Sequence, residues 1–392
     1  MERGVVDRAT IAPGRLGSST RPRVAVGLLW PPYGPVPNIL QAVRVARLAR
    51  LDFMVLGDHV QGFAPRSAWD RRLGYWCLPG SSPHELHEVF TLLGRLSAAA
   101  GGLQLGVGVA DVLRRHPITL AQAALTLSQL AKRPFILGLG AGEREGTEPY
   151  GLDPAPRADR LEEAADYIRT ALASRGSSFD FDGRYFSADR AILDLPAPPG
   201  RMPRIWIAAN GPRMLAVAGR QGDGWLPTFV RDPAEYERSL AVVREAAVAA
   251  GRPADAVLPA LELNLLVAAR EREARDLLDS QIARLTAAFT APAAAWRASG
   301  TTHPLGDGFG GYRDILPERV DPAAMDEAIR TVPREVVERN FIWGTPDQVA
   351  RRLQDLRDAG MRAVCFIPVS LHTRRATLYT FWALGRIARR LH

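Results

Sequence analysis

The chain has 392 residues, of which 47% are hydrophobic and 23% charged, so it has enough apolar residues for a large globular core. Fifty Lys and Arg against 42 Asp and Glu give a formal net charge of +8. The excess arginines are scattered along helical segments and are not clustered with aromatic residues, which argues against a nucleic-acid-binding protein. A basic surface that attracts a polyanionic cofactor or an anionic membrane face stays open. No apolar run reaches the ~18 residues that would indicate an integral membrane segment.

The cysteines and the amino-terminal segment indicate the compartment. Cys77 and Cys365 are too few for a disulfide framework or a cysteine-rich zinc site, which favours a reducing cytoplasm. The first residues carry several arginines, but no apolar segment follows them, so they do not resemble a secretory signal. We expect residues 1–22 to form a disordered leader and the protein to be cytoplasmic.

From Arg23 onward, short apolar runs alternate with amphipathic segments. Strands are predicted at 24–30, 53–56, 103–109, 135–139, 204–209, 224–226, 261–268 and 363–367. Helices are predicted at 39–51, 86–100, 117–130, 157–173, 233–250 and 270–289, with others starting at 212 and 345 and a last one ending at 392. Residues 179–186 alternate in polarity around an Asp-Gly pair, which predicts a hairpin outside this alternation.

Eight strands flanked by helices predict an α/β fold with a parallel sheet covered on its faces. Such units close most simply as a (β/α)₈ TIM barrel, here a single domain over residues 23–392. A doubly wound open sheet, with or without a second domain, is the alternative. Residues 290–340 interrupt the alternation with Pro, Gly and aromatic residues, which suits a lid over an apolar substrate or, equally, a packing or dimer-contact loop.

Two familiar motifs are rejected. The glycine-rich strand ends at 106–111 and 138–143 have an acid where a Rossmann fingerprint needs its third glycine, and neither lies near the first strand. The histidines of the run 84–88 are three residues apart, whereas a zinc-protease helix needs them four apart. We therefore predict no metal.

Three strand ends carry candidate functional residues, because strand carboxyl ends form the active-site mouth of a barrel. His59 can exchange protons near neutral pH, and the adjacent Asp58 could orient it; the alternative is a structural histidine. Glu143 follows three glycines, and a confined carboxyl there could donate a proton or instead pair with a nearby arginine. The turn Asn210-Gly211-Pro212 begins a helix and could hold a phosphate or merely cap the helix.

With these residues in place, the sequence resembles the bacterial luciferase-like, F420-dependent oxidoreductases from Arg23 onward. The similar segments are 57–59, 114–127, 137–151, 205–212 and 219–225. Within that family the runs 142–146, 148–151, 303–306 and 314–317 resemble the phthiodiolone dimycocerosate ketoreductase group of actinobacteria. The resemblance implies a luciferase-like barrel with insertions, commonly a homodimer, that binds coenzyme F420.

The resemblance also implies roles for individual residues. His59 would be the acid/base and Glu143 a second acid. A phosphate tail would lie toward the turn at 210–212, and the strand containing Val107 and Gly108 would carry a non-proline cis bond behind the ring. The positions implied in cofactor binding are Asp58, Val107, Gly108, Ala141, Gly142, Gly146, Ala209, Asn210, Gly211 and Pro212. Gly146 stands where many relatives have Asn, and Ala141 where some have Thr, so two possible cofactor hydrogen bonds are absent.

The resulting hypothesis is hydride transfer between F420 and a carbonyl or alcohol, with His59 or Glu143 exchanging the proton. A lipid ketone is the substrate that the resemblance suggests. An FMN-dependent monooxygenase on the same scaffold is the second hypothesis, and a cofactor-binding protein without turnover is the third.

Overall fold

The computed structural model describes residues 22–70, 73, 82–153 and 156–392. Residues 1–21, where we expected most of the leader, and Cys77 lie outside the described residues. None of the described helices is long and apolar enough to cross a membrane.

The described strands include all eight segments predicted from the sequence. Their bounds are β1 Ala25–Trp30, β2 Phe53–Leu56, β3 Gln104–Asp111, β4 Ile136–Gly140, β5 Phe179–Asp182, β6 Ser187–Ala191, β7 Arg204–Ile207, β8 Gly224–Trp225, β9 Leu258–Pro259, β10 Glu262–Val267, β11 Phe341–Gly344 and β12 Ala363–Pro368. The strands β2, β4 and β10 are buried along their whole length, which explains why they appear in the sequence as continuous apolar runs.

The described helices pack around these strands. Their bounds are α1 Val36–Leu48, α2 Val89–Ala100, α3 Pro117–Leu130, α4 Arg157–Ala173, α5 Pro212–Gln221, α6 Pro233–Ala249, α7 Glu271–Asp276, α8 Gln281–Thr290, α9 Ala293–Ala298, α10 Pro322–Thr331, α11 Arg334–Asn340, α12 Pro346–Asp358 and α13 Arg374–Leu391. The predicted start at Thr345 is confirmed, because its hydroxyl accepts from the Gln348 amide and the Gln348 side chain accepts from the Thr345 amide.

Ten strands form one parallel sheet in the order β11-β10-β12-β1-β2-β3-β4-β7-β8-β9. The sheet closes because β9 and β10 follow one another along the chain and pair with β8 and β12. At the junction, the main-chain carbonyl of Glu262 accepts from the Phe229 amide at 2.9 Å, and the Glu262 amide donates to the Pro227 carbonyl at 2.9 Å. The eight predicted strands therefore form a closed (β/α)₈ barrel, and β11 pairs with the later residues of β10.

The lower part of the barrel interior is filled by side chains. Phe53 and Trp206 meet edge to face, with ring centroids 5.4 Å apart. A side-chain carbon at Gly27 would lie 2.2 Å from the Phe53 ring, so glycine makes room for that ring. Because this end is packed, open space in the barrel lies toward the carboxyl ends of the strands.

Three predicted details differ. The hairpin exists, but its second strand starts at Ser187, so its turn is longer than an Asp-Gly pair. The helix predicted at 270–289 is divided into α7 and α8 by a 3₁₀ turn at Leu277–Asp279. The segment 290–340 is not a bare loop, since it contains α9, α10 and α11, and β11 directly follows it.

Candidate active site

A cavity of about 540 Å³ opens at the carboxyl ends of the barrel strands. One wall is made of small residues at the ends of β3 and β4, and aromatic side chains line the other side. The small residues are Gly108, Val109, Gly140, Ala141 and Gly142, and the aromatic residues include Phe63, Trp69, Phe289 and Tyr312. One wall of the cavity therefore leaves space beside the backbone, and the other side is apolar.

A histidine and a buried glutamate form a pair at the edge of this cavity. His59 follows β2, and Glu145 lies in the 3₁₀ turn Arg144–Gly146 after β4. The Nδ1 of His59 is 2.8 Å from Oε1 of Glu145, so the imidazole donates to the carboxylate. The His59 side chain is 24% exposed and lines the cavity, whereas Glu145 is 1% exposed. The Oε2 of Glu145 is buried and has no hydrogen-bond partner within the described chain.

This pairing changes the protonation of His59. Burial alone would lower the pKa of His59, but the hydrogen bond that His59 donates to Glu145 and the negative charges of Glu145 and Glu143 outweigh it and raise the pKa to about 9. His59 is therefore protonated at neutral pH, with its Nε2 free of hydrogen bonds to the rest of the described chain.

A second carboxyl lies beside the pair. Burial raises the pKa of Glu143, although the positive charge of His59 opposes that effect. Ligand atoms of His59, Glu143 and Glu145 all lie within 4.8 Å of one another. The three groups are close enough to share a proton, and their donor set could also hold a divalent cation.

Asp58 has a different environment from the one expected. Its carboxylate forms ion pairs with Arg115 and, at 3.2 Å, with Arg114, and it does not line the cavity. Asp111 fixes the same arginine by accepting from the Arg114 amide at 2.9 Å and from its guanidinium. The acid that orients His59 is therefore Glu145, and Asp58 ties the end of β2 to the start of α3.

The residues that the resemblance implied in cofactor binding divide into two sets. Those that line the cavity are Gly108, Ala141, Gly142, Ala209, Asn210 and Gly211, together with His59 and Glu143. Those that do not line it are Asp58, Val107, Gly146 and Pro212. The strand β3 contains a cis peptide bond, between Gly108 and Val109.

The turn before α5 forms the polar end of the cavity. Gly211 is the N-cap of the helix, and a side-chain carbon there would meet nothing within 4 Å, so the turn is open to the cavity. The side-chain Nδ2 of Asn210 donates to Thr228 Oγ1 at 3.0 Å, and its Oδ1 accepts from the main-chain N–H of Thr228 at 3.1 Å. Arg213 pairs with Asp159 and is absent from the cavity wall, which instead includes Arg157.

Two buried polar residues of β10 escaped the sequence analysis. Glu262 and Asn264 line the cavity and are 8% and 3% exposed. Burial and the nearby charge of Glu143 raise the pKa of Glu262 to about 8. Their spacing of two residues in an otherwise apolar strand places both on the inner face, and that pattern was the available signal.

The family model for luciferase-like monooxygenases matches residues 15–363. The chain belongs to this luciferase-like family. It is 36% identical over 343 residues to a phthiodiolone/phenolphthiodiolone dimycocerosates ketoreductase of Mycobacterium tuberculosis, an alignment that covers 87% of this chain and 89% of the relative.

Two solved structures have the same luciferase-like fold at low identity. An F420-dependent secondary alcohol dehydrogenase in complex with an F420-acetone adduct superposes with a TM-score of 0.71 at 16% identity, over 94% of this chain and 99% of that one. The oxygenating constituent of 3,6-diketocamphane monooxygenase from Pseudomonas putida, in complex with FMN, gives a TM-score of 0.63 at 17% identity, over 94% and 98%.

Proposed function

We propose that this luciferase-like protein is an F420-dependent oxidoreductase that transfers a hydride between the deazaflavin and a carbonyl or alcohol group. The observation that carries the proposal is the His59–Glu145 pair, whose histidine faces a cavity with one flat, small-residue wall. A protonated imidazole at such a wall is suited to exchange a proton with an oxygen atom during hydride transfer.

The cavity has the features that a deazaflavin needs. The glycine and alanine residues of β3 and β4 leave space for a planar ring against the backbone. The open turn at Gly211 and the start of α5 provide amide groups and a helix dipole for a phosphate, and Arg157 adds a positive charge. When bound, the cofactor would supply the hydride acceptor or donor.

The protein's own groups would manage the proton. In the direction of carbonyl reduction, His59 would donate from Nε2 to the developing alkoxide, while Glu145 holds the ring through Nδ1 and stabilises its positive charge. Glu143, whose pKa is raised, would serve as a nearby proton reserve. In the opposite direction the same groups would accept the alcohol proton.

The apolar side of the cavity suggests the substrate class. Phe63 and Phe289 stack with ring centroids 6.0 Å apart, and Tyr312 meets Phe63 edge to face. Phe289 and Tyr312 come from α8 and the segment that follows it, so part of the predicted lid lines the cavity. Together with the name of the mycobacterial relative, this wall supports a ketone that carries a long apolar group.

A flavin is the competing cofactor. The small-residue wall would also take the ring of FMN, and a monooxygenase with bound FMN shares this fold. Oxygen consumption distinguishes the two hypotheses, because reduced flavins react with oxygen readily and deazaflavins react poorly.

The test combines binding with turnover. Purified protein would be titrated with F420 and with FMN, followed by fluorescence and thermal shift, and then assayed for oxidation of reduced F420 by long-chain ketones. We expect selective F420 binding, and turnover that falls about 10²- to 10⁴-fold in His59→Ala. His372→Gln, an exposed histidine outside the cavity wall, is the matched control. Selective FMN binding with oxygen uptake would reassign the protein as a monooxygenase, and binding without any turnover would support the non-catalytic hypothesis.

A further inference from the structure

Two neighbouring outer helices of the barrel carry only positive charge. The helix α1 contains Arg44 and Arg47, and α13 contains five arginines, but neither helix contains an acidic residue. The carboxyl end of α1 packs closely against α13, where a side-chain carbon at Gly385 would lie 2.9 Å from the Ala49 carbonyl oxygen. They therefore form one continuous part of the surface.

Large apolar side chains stand exposed on the same helices. On α13, Leu378 and Trp382 lie one helical turn apart and are 56% and 51% exposed, and Leu48 at the end of α1 is 82% exposed. Trp382 lies beside Tyr379, with ring centroids 5.3 Å apart. Exposed apolar residues that share a helix face with cations indicate an interaction surface.

Few of the positive charges on this surface are neutralised. Asp347 of α12 pairs with Arg386 at 2.8 Å and with Arg390 at 3.4 Å. Within the described chain, no ion pair involves the remaining exposed arginines of the surface. We call the following residues the basic face: Arg44, Leu48, Arg374, Arg375, Leu378, Trp382 and Arg389.

We propose that the basic face docks this protein on the surface of an anionic lipid bilayer. The arginines match the negative surface charge of such a bilayer, and Leu378 and Trp382 are of the types that enter the interface between headgroups and acyl chains. A soluble acidic protein would pair with the arginines. It would not offer the continuous apolar phase that the separated side chains of Leu48, Leu378 and Trp382 could enter.

Docking on this face would also place the cavity near the bilayer. Val369, at the end of β12, lines the cavity, and Arg374 at the start of α13 follows it by only five residues. The exposed Leu378 lies one turn further along. The cavity mouth would therefore be close to the lipid surface, where apolar molecules partition.

Vesicle sedimentation tests the proposal with the full-length protein. Vesicles of phosphatidylcholine alone would be compared with vesicles containing roughly one-third phosphatidylglycerol, at low and at physiological salt. We expect binding only to the anionic vesicles, weaker at the higher salt. Because each basic residue near the surface contributes about fivefold to binding, the double variant Arg374→Glu with Arg375→Glu should bind at least tenfold more weakly.

Matched variants separate this face from a general effect of charge. Arg238→Glu with Arg244→Glu changes the net charge equally, at two exposed arginines of α6, and should bind as the unmodified protein does. Leu378→Gln with Trp382→Gln keeps every charge and should also weaken binding several-fold. Thermal unfolding of each variant checks that it is folded.

Three outcomes would overturn the proposal. The first is that the unmodified protein does not bind the anionic vesicles at low salt. The second is that the α6 variant loses as much binding as the α13 variant. The third is that the unmodified protein does not bind vesicles and is a dimer by light scattering, and that Trp382→Gln dissociates this dimer. That result would assign the face to a second copy of the chain.

Discussion

His59 Nδ1 and Glu145 Oε1 are 2.8 Å apart, although 86 positions separate the two residues along the chain. One follows β2 and the other lies just beyond β4, so the barrel brings them together across the end of β3. The histidine is held in one orientation and kept protonated by an acid that is itself inaccessible to solvent. The pair thus has the arrangement of an oriented general acid.

Glu145→Gln should move the pH dependence of turnover. The proposed ketone reduction should decline in the unmodified protein as the pH rises through about 9, where His59 gives up its proton. The amide removes the negative charge but leaves the burial, so the pKa of His59 should fall to its ordinary value or below. Turnover at pH 8 should then drop about tenfold or more, measured as a pH–rate profile.

The control for this profile is Glu148→Gln, which removes a neighbouring acid that pairs with Arg144. It should leave the decline near pH 9 in place. An unchanged profile in Glu145→Gln would remove the pair from the mechanism.

The raised pKa of His59 also stabilises the fold below pH 6.5, and this contribution to the free energy of unfolding is lost as the pH rises through about 9.

Glu262→Gln should stabilise the protein at alkaline pH. Because the pKa of Glu262 in the folded state is about 8, the folded protein holds this proton above pH 4.5, where the unfolded chain releases it. Its contribution to the free energy of unfolding is therefore present at low pH and declines until the pH passes about 8. At pH 9 the variant should gain on the order of a few kcal/mol over the unmodified protein, and at pH 4.5 much less.

Urea unfolding at both pH values measures this difference. The exposed Glu237→Gln on α6 is the control and should change little at either pH. A Glu262→Gln variant that is destabilised equally at pH 4.5 and pH 9 would contradict the assignment of a buried, protonated carboxyl.

Gly211→Val should weaken cofactor binding without harming the fold. The position has φ −88°, which valine can adopt, and a side-chain carbon there meets no protein atom within 4 Å. The branched side chain would occupy the space in front of the first amides of α5, where we place a phosphate. We expect the Kd for F420 to rise at least about tenfold with little change in Tm.

The matched control is Gly308→Val, since a side-chain carbon at Gly308 also has open space and the residue lies away from the cavity wall. Unaltered F420 affinity in Gly211→Val would mean that the phosphate lies elsewhere.

Asp58→Asn should lower the free energy of unfolding. The Asp58 side chain is 3% exposed and faces both Arg114 and Arg115, so the substitution removes the anion that the two guanidinium groups share. Asp111 still pairs with Arg114, and Glu88 with Arg115. A loss of about 1 to 3 kcal/mol in the free energy of unfolding is expected from denaturant titration. Asp189→Asn, at a carboxylate that is 92% exposed, should cost less than about 0.5 kcal/mol. Equal effects of the two substitutions would be the contrary result.

The sequence allowed the barrel to be predicted because its strands are buried on both faces. Runs such as Phe53–Leu56 and Ala363–Pro368 are continuous and apolar, and they alternate with amphipathic helices. The strand β11 directly follows the irregular segment 290–340, so its short apolar run was not separated from that segment in the sequence.

The site was predicted only in part. His59 and Glu143 were identified because each directly follows an apolar strand, which places it at the mouth of a barrel. Glu145 lies in a short polar turn that looks solvent-exposed in the sequence, and its burial depends on contacts with residues far away in the chain. Asp58 was assigned to His59 by adjacency, but two arginines at the start of another helix compete for it more strongly.

The residue that closes the barrel is also one that faces the cavity. The main chain of Glu262 joins the last open edge of the sheet to residues 227–229, while its side chain lies among the candidate site residues. For protein engineering, a change of the Glu262 side chain and a change of its main-chain position therefore have different consequences. A change of the side chain leaves both main-chain hydrogen bonds of Glu262 in place, whereas a loop graft that shifts the register by one residue between β8 and β10 would break them. New termini belong instead at open glycine turns on the exterior, such as Gly200 or Gly251.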